Sequence, residues 1–218
     1  MSKKYQLLVF DWDGTLMDSQ SEIVWCFQHA AGDINLAIPT VGAVHNVIGL
    51  GMQEAVATVF PDAGEQSRLD FVERYRHYYF HDQNKPQSEL FDGVYKMLCG
   101  FEKAGYFLAV ATGKGRRGLN ASLANTGLDS IFHFSICVDE AHSKPHPQMI
   151  TDTMDFLGVE KNDTLMIGDT EYDLQMAINA NVDSVAVGCG AHKKQRLLNF
   201  SPKHFIDESY ELESWLTD

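Results

Sequence analysis

Four short runs place charge or a hydroxyl where an apolar stretch has just ended. Residues 5–10 (YQLLVF) give way to Asp11-Trp12-Asp13-Gly14-Thr15-Leu16, and residues 106–111 (YFLAVA) to Thr112-Gly113-Lys114. Lys144-Pro145 lies in a loop beyond residues 134–138. Residues 165–167 end in Gly168-Asp169-Thr170, and Asp173 follows four residues after Asp169. Short apolar runs read as buried strands, and ligands of an open parallel sheet bind outside the carboxyl ends of its strands. The four runs would therefore bring at least three carboxylates, a lysine and a hydroxyl to one rim. Crowded carboxylates repel one another unless a cation sits among them. Oxygen ligands with no His/Cys cluster favour a hard divalent ion, Mg²⁺. A lysine and a threonine hydroxyl beside such an ion suit phosphoryl oxygens.

The elements that must hold these residues follow from patterning. A helix is expected to begin near Ser19, because Ser19 and Glu22 have the S-x-x-E spacing of a capping box. Residues 19–83 read as almost wholly helical, punctuated by Gly32, Pro39, residues 49–51 and residues 61–64. Phe71, Tyr75, Tyr78, Tyr79 and Phe80 are spaced to line a helix face and are expected to form the core of that block. After Pro86, apolar strands at 106–111, 134–138, 165–167, 184–187 and 204–206 alternate with helices near 116–126, 147–158 and 171–180 and a last helix. Phe91, Val94, Met97, Leu98 and Phe101 share one helical face. Continuous apolar strands separated by helices imply a mostly parallel sheet covered on both faces. The fold expected is α/β: a Rossmann-like three-layer core with a parallel sheet, plus a small all-helical cap inserted after strand 1. The core is placed at 1–16 and 88–218, and the cap at 17–87.

Composition bounds the function classes. The chain has 218 residues, 44% of them hydrophobic, enough for one good core, or for one core plus a small satellite domain. Its formal net charge of -13 repels nucleic-acid phosphates, so DNA and RNA are not expected partners. A phosphorylated metabolite would be repelled too, and its site must supply local positive charge. Cys26, Cys99, Cys137 and Cys189 make no CxxC pair, which fits reduced thiols in a cytoplasmic protein. Asp11 interrupts the first apolar run too early for a signal peptide, and no stretch approaches the roughly 18 apolar residues that span a bilayer.

The runs D-W-D-G-T-L, T-G-K, K-P and G-D-T-x-x-D, in that order and at strand ends, resemble the four motifs of the haloacid dehalogenase superfamily. The helical insertion resembles the cap of its phosphoglycolate phosphatase-like branch. Phe91-Asp92-Gly93-Val94 departs from the Pro-Gly-Val of many relatives, which affects only where the following helix starts. The resemblance implies a Mg²⁺-dependent phosphatase acting on a small phosphorylated metabolite. Asp11 would attack phosphorus and form an aspartyl-phosphate. Asp13 would protonate the leaving oxygen and then activate water. Thr112, Gly113 and Lys144, with Gly14 and Lys114, would hold the phosphoryl group. Asp11, the Asp13 backbone carbonyl and Asp169 would bind Mg²⁺, with Asp173 in or just behind that shell. A phosphomutase using the same intermediate is the alternative. Asp13 argues against dehalogenase chemistry, because the relatives that name the superfamily lack it.

Plainer readings exist for several of these residues. Aspartates after a strand often only form turns, and Thr170-x-x-Asp173 could simply cap a helix. Trp12 reads as a packing residue, Arg116 and Arg117 as a solvated helix start, and His142 and His146 as surface residues. Asp13-Gly14 is not a calcium loop, because Leu16 stands where the sharp EF-hand turn needs glycine. Gly113-x-Gly115-x-x-Gly118 matches the dinucleotide fingerprint, with Asp139 positioned as a ribose-binding acid. That oxidoreductase reading leaves Asp11, Asp13, Lys144 and Asp169 without a task. A non-catalytic phosphate-binding module would leave the full set of catalytic residue types without one. Residues 49–53, with two glycines around Leu50, are either a plain inter-helix turn or a loop that approaches substrate. Neither the metabolite nor the oligomeric state is legible.

Overall fold

The computed structural model describes residues 4–217. The chain opens with β1 (Leu7–Phe10) and a two-residue strand, β2 (Met17–Asp18). Four helices follow: α1 (Gln20–Asp33), α2 (Val41–His45), α3 (Met52–Val59) and α4 (Glu65–His81). Next come β3 (Glu89–Leu90), α5 (Val94–Lys103), β4 (Phe107–Thr112), α6 (Arg116–Thr126), β5 (Phe134–Cys137) and α7 (Gln148–Leu157). The chain ends through β6 (Thr164–Gly168), α8 (Glu171–Ala180), β7 (Asp183–Val187), α9 (Lys194–Leu198), β8 (His204–Ile206) and α10 (Leu212–Thr217).

Six strands form one parallel sheet in the order β5-β4-β1-β6-β7-β8. Side chains alternate across it, as the two-residue period of a strand requires. Leu8 and Phe10 enter a core with Val94, Met97, Leu98 and Phe101 of α5. Leu7 and Val9 enter the opposite core, with Met149 and Ile150 of α7 and Met176 and Ala177 of α8. A sheet buried on both faces needs apolar residues at every position, which is why its strands read as unbroken apolar runs. The α/β architecture expected from those runs is the one found.

The helices α1–α4 enclose a separate apolar cluster in which Phe27, Phe60, Phe71 and Tyr75 meet. Phe71 lies with ring centroids 5.1 Å from Phe27 and 5.0 Å from Phe60. The chain leaves and re-enters the sheet region through an antiparallel ribbon, Met17 opposite Leu90 and Asp18 opposite Glu89. Two residues per strand are too few for any periodicity to announce. No helix among the described residues is long and apolar enough to cross a membrane.

The capping box expected at Ser19 and Glu22 does not form. Ser19 stands at the N-cap but makes no side-chain cap bond, and its hydroxyl donates to Asp13 Oδ1 at 2.7 Å. Glu22 is buried and accepts from Lys85 Nζ and Ser88 Oγ. Charged and hydroxyl partners brought in by the fold outcompete the weaker bonds to the helix's own N–H groups.

Candidate active site

The central position of β1 sets the site. Phe10 is in register with Val110 of β4 on one side and Ile167 of β6 on the other. Asp11, one residue on, therefore emerges between the strand ends that carry Thr112 and Asp169, and its N–H donates to Ile167 O at 2.9 Å. The Asp11 side chain is 1% exposed. Its Oδ1 accepts from Lys144 Nζ at 2.5 Å, and the same ammonium donates to Asp173 Oδ1 at 2.6 Å. Asp11 Oδ2 is buried with no hydrogen-bond partner among the described residues. Asp169 accepts from the Thr15 hydroxyl at 2.7 Å and from the Ala191 N–H at 2.8 Å. Asp173 Oδ2 accepts from the Thr170 N–H and hydroxyl at 3.0 and 2.6 Å. Asp173 thus caps α8 with one oxygen and holds Lys144 with the other.

Oxygens of Asp11, Asp169 and Asp173 lie within 4.8 Å of one another. Three buried carboxylates against the single ammonium of Lys144 leave an excess of negative charge that the protein does not neutralise. Burial, aided by the charges of Asp173 and Asp169, pushes the Asp11 carboxyl well above the usual carboxylate range despite Lys144. Burial and the neighbouring Asp173 charge push Asp169 up to about 7. Burial works to lower the pKa of Lys144, but Asp11 and Asp173 outweigh it and hold the lysine above its ordinary value. An all-oxygen, net-negative buried cluster of this kind fits a hard divalent cation such as Mg²⁺.

The remaining expected site residues are distributed around this cluster. Asp13 Oδ1 accepts from both Ser19 Oγ and, at 2.9 Å, Lys114 Nζ. Burial works to lower the Lys114 pKa, but Asp13, Tyr79 and Tyr75 more than offset it and raise the value well above that of an ordinary lysine. Lys114, expected at the phosphate, is thus bound to Asp13. Thr112 is buried, and its Oγ1 accepts the Lys114 N–H at 3.1 Å. Gly113 lies so close to residues 49 and 50 that a Cβ there would sit 2.6 Å from both of their carbonyl oxygens. Gly14, at φ +93, donates its N–H to Met17 O and packs against the Asp169 carboxylate, which a Cβ would overlap.

A cavity of about 350 Å³ opens beside Asp11, Asp13, Thr112 and Gly113 and reaches up to the helices. Gly49, Leu50 and Met52 line it, and the Gly51 N–H donates to Ser143 Oγ at 2.8 Å. Gln53 is exposed and lies off the cavity wall. The aromatic run of α4 is divided: Phe71 is wholly core, whereas Tyr75, Tyr79 and Phe80 also face the cavity. Trp12 is fully buried against Phe132, in line with a packing role.

At the helix start expected to be solvated, Arg117 is exposed, whereas Arg116 is half-buried and paired. Arg116 pairs with Glu140 at 2.6 Å and donates to Ser135, while Arg117 lies 4.0 Å above the Phe80 ring. The dinucleotide reading fails at the same place. The Arg116 N–H donates to both Asp139 oxygens at 3.1 Å, so the chain's own carboxylate occupies the helix N-terminus where a pyrophosphate would bind. The acid suggested as a ribose ligand is that carboxylate.

Several neighbours of the site went unnoticed in the sequence. Thr15 and Ala191 fix Asp169, and Ser19 fixes Asp13. A Cβ on Gly190 would overlap Asp169, and one on Gly168 would overlap Asp173, so glycine at both positions makes room for the carboxylates. Thr15 sits inside the first motif and could have been singled out there; Gly190 and Ala191 follow β7 with no local signal.

Known proteins resemble this chain in sequence and in fold. The family described as haloacid dehalogenase-like hydrolase matches residues 8–187. The chain is 34% identical to the probable phosphatase IndB of Dickeya dadantii, over 94% of this chain and 91% of that protein. It is 28% identical to a phosphoglycolate phosphatase of Colwellia psychrerythraea, over 95% of each. A solved structure from Bacteroides fragilis superposes with a TM-score of 0.88 at 24% identity, covering 96% of this chain and 100% of that one, and shows the same fold. With a family match that takes in the strand ends at Asp11, Thr112 and Asp169, the chain belongs to the haloacid dehalogenase-like hydrolase family and is an enzyme of its phosphatase type.

Proposed function

We propose that this enzyme is a Mg²⁺-dependent phosphatase that hydrolyses a small phosphorylated metabolite, in the cytoplasm, through an aspartyl-phosphate on Asp11. The observation that carries the reading is the unpartnered Asp11 Oδ2, beside an Oδ1 that Lys144 holds in place. A carboxylate oxygen free of hydrogen bonds keeps its lone pairs for attack. It bonds to phosphorus as the substrate's P–O bond breaks. Asp13 gives its proton to the leaving oxygen. Asp13 then takes a proton from water, whose oxygen displaces Asp11 and releases inorganic phosphate. Thr112, the Gly113 N–H and Lys144 hold the phosphoryl oxygens as charge spreads over them.

Asp11, Asp169 and the Asp13 carbonyl are the groups that would hold Mg²⁺, with Asp173 orienting the set through Lys144. The bound ion supplies positive charge to the phosphoryl oxygens. We assign the core to residues 1–16 and 88–218 and the cap to 17–87. The ribbon of β2 and β3 joins them, and the cap excludes water from the phosphoryl group.

The test is phosphate release from a generic aryl phosphate by Asp11→Asn. The amide keeps the size but cannot attack, so kcat is expected to fall by at least about 10³-fold with an unchanged circular dichroism spectrum. Asp13→Asn is expected to lose about 10²–10⁴-fold. Wild-type turnover by Asp11→Asn would remove the covalent route.

A further inference from the structure

The cavity joins two chemically opposed walls. On the core side stand Asp11, Asp13, Thr112 and Lys114. On the helix side the lining includes Ile23 and Phe27 of α1, Ile48 and Leu50 of the loop between α2 and α3, and the rings of Tyr75, Tyr79 and Phe80 of α4. These residues are held in place. Phe27 and Ile48 are 2% and 4% exposed, Tyr75 stacks on Tyr79 at 6.2 Å and 11°, and Tyr79 meets Phe80 edge-on at 4.9 Å.

The positive charge at this wall is largely committed. Lys114 is bound to Asp13 and lies 4.9 Å from the centroid of the Tyr79 ring, against which Lys85 also lies, at 5.0 Å. Lys144, behind Asp11 and off the cavity lining, is shared between Asp11 and Asp173. Arg76 and Arg117 reach the cavity only as exposed side chains, and Arg117 stacks on Phe80. A ligand bound at Asp11 therefore has its phosphoryl group in the polar half. Whatever the phosphate is esterified to enters an apolar, aromatic-walled space. A second carboxylate one or two carbons from phosphorus would be desolvated there against isoleucine, leucine and ring carbons, which is unfavourable without a partner. A ring would bury apolar surface against the same residues and stack on their faces. The whole cavity, at about 350 Å³, lies within the range of small-molecule pockets, about 300–1,000 Å³.

We propose that the substrate is a phosphate monoester of an alcohol bearing an apolar, ring-sized group, in preference to a two-carbon phosphate carrying a carboxylate. This rests on the phosphatase reading and names the class of molecule that the same site takes.

The experiment compares benzyl phosphate and cyclohexylmethyl phosphate with ethyl phosphate and 2-phosphoglycolate, all alkyl esters, so that leaving-group reactivity does not decide the outcome. With Mg²⁺ present, kcat/KM for the two ring esters is expected to exceed that for 2-phosphoglycolate by about tenfold or more. Phe80→Ala is expected to cut the benzyl-to-ethyl selectivity roughly three- to tenfold, the worth of one aromatic contact. A second arm measures calorimetric binding of benzylphosphonate and phosphonoacetate, which are not hydrolysed. Tighter binding of benzylphosphonate supports the proposal even if no ester turns over, a result that would overturn only the phosphatase reading. Equal or tighter binding of phosphonoacetate, or a preference for 2-phosphoglycolate among the esters, overturns the proposal.

Discussion

Lys114 Nζ lies 2.9 Å from Asp13 Oδ1, across a separation of 101 residues in the chain. The same ammonium sits 4.9 Å from the Tyr79 ring centroid, so one side chain ties the turn after β4 to Asp13 and to α4. With Ser19 on the same Asp13 oxygen, this carboxylate is held by two donors from different parts of the fold.

Lys114→Met is expected to lower kcat by about 10–100-fold, because Asp13 loses one of the two groups that orient it and misplacement of a catalytic group costs rates of that order. Steady-state kinetics on a generic monoester measure this. If only KM rose and kcat held, Lys114 would be a phosphate ligand with no positioning role.

Lys144→Met is expected to destabilise the protein by about 3–5 kcal/mol, the usual result of leaving buried charges without their partner. Asp11 and Asp173 are both buried and both bonded to this ammonium, so its removal strands two carboxylates. Urea unfolding monitored by tryptophan fluorescence reports the change. A loss within about 0.5 kcal/mol, the range of surface substitutions, would show that the pair is energetically idle.

The metal-free protein is expected to lose stability as pH rises from about 4 to about 7. The Asp169 carboxyl is pushed up to about 7 in the fold, chiefly by burial and by Asp173, from an ordinary value of 3.8. Between those values the native state holds a proton that the unfolded chain has released. Protonation therefore favours folding below 4, and that contribution disappears as pH passes 7. Mg²⁺ competes with this proton, so added Mg²⁺ is expected to raise the melting temperature more at about pH 8 than at about pH 5. EDTA is expected to stop hydrolysis. Thermal scans at the two pH values with and without Mg²⁺ check the sign; an equal Mg²⁺ effect at both would detach Asp169 from the metal.

Gly190→Ala is expected to weaken the apparent Mg²⁺ affinity about 10–100-fold, as changes just behind a metal ligand do. The added methyl would overlap the Asp169 carboxylate, which Ala191 and Thr15 otherwise fix. Gly64→Ala is the comparison, since Gly64 has open space around its Cβ position and an ordinary φ of -64. Activity measured across a Mg²⁺ titration separates the two, and identical curves would show that Asp169 tolerates displacement.

The apolar runs ending at Asp11, Thr112 and Asp169 determined the sheet by themselves. A strand buried on both faces must be apolar at every residue, and a parallel neighbour demands a helix between. Residues 116–126, 171–180 and 204–206 fall where the pattern placed them, and Asp11, Lys144, Asp169 and Asp173 could be expected at one rim because strand ends converge there. The tertiary structure alone decided which partner each polar group takes. Ser19 and Glu22 have capping-box spacing yet serve Asp13 and Lys85, Lys114 turns to Asp13, Asp139 closes the N-terminus of α6, and Gly190 yields space to Asp169. Tyr79 and Phe80 share the helical spacing of Phe71 but end at a cavity wall. Periodicity reports how a residue faces its own element. It carries nothing about which group, a hundred residues away, the packing of that element will bring within 3 Å, and in a buried site the nearest charge outweighs the local preference.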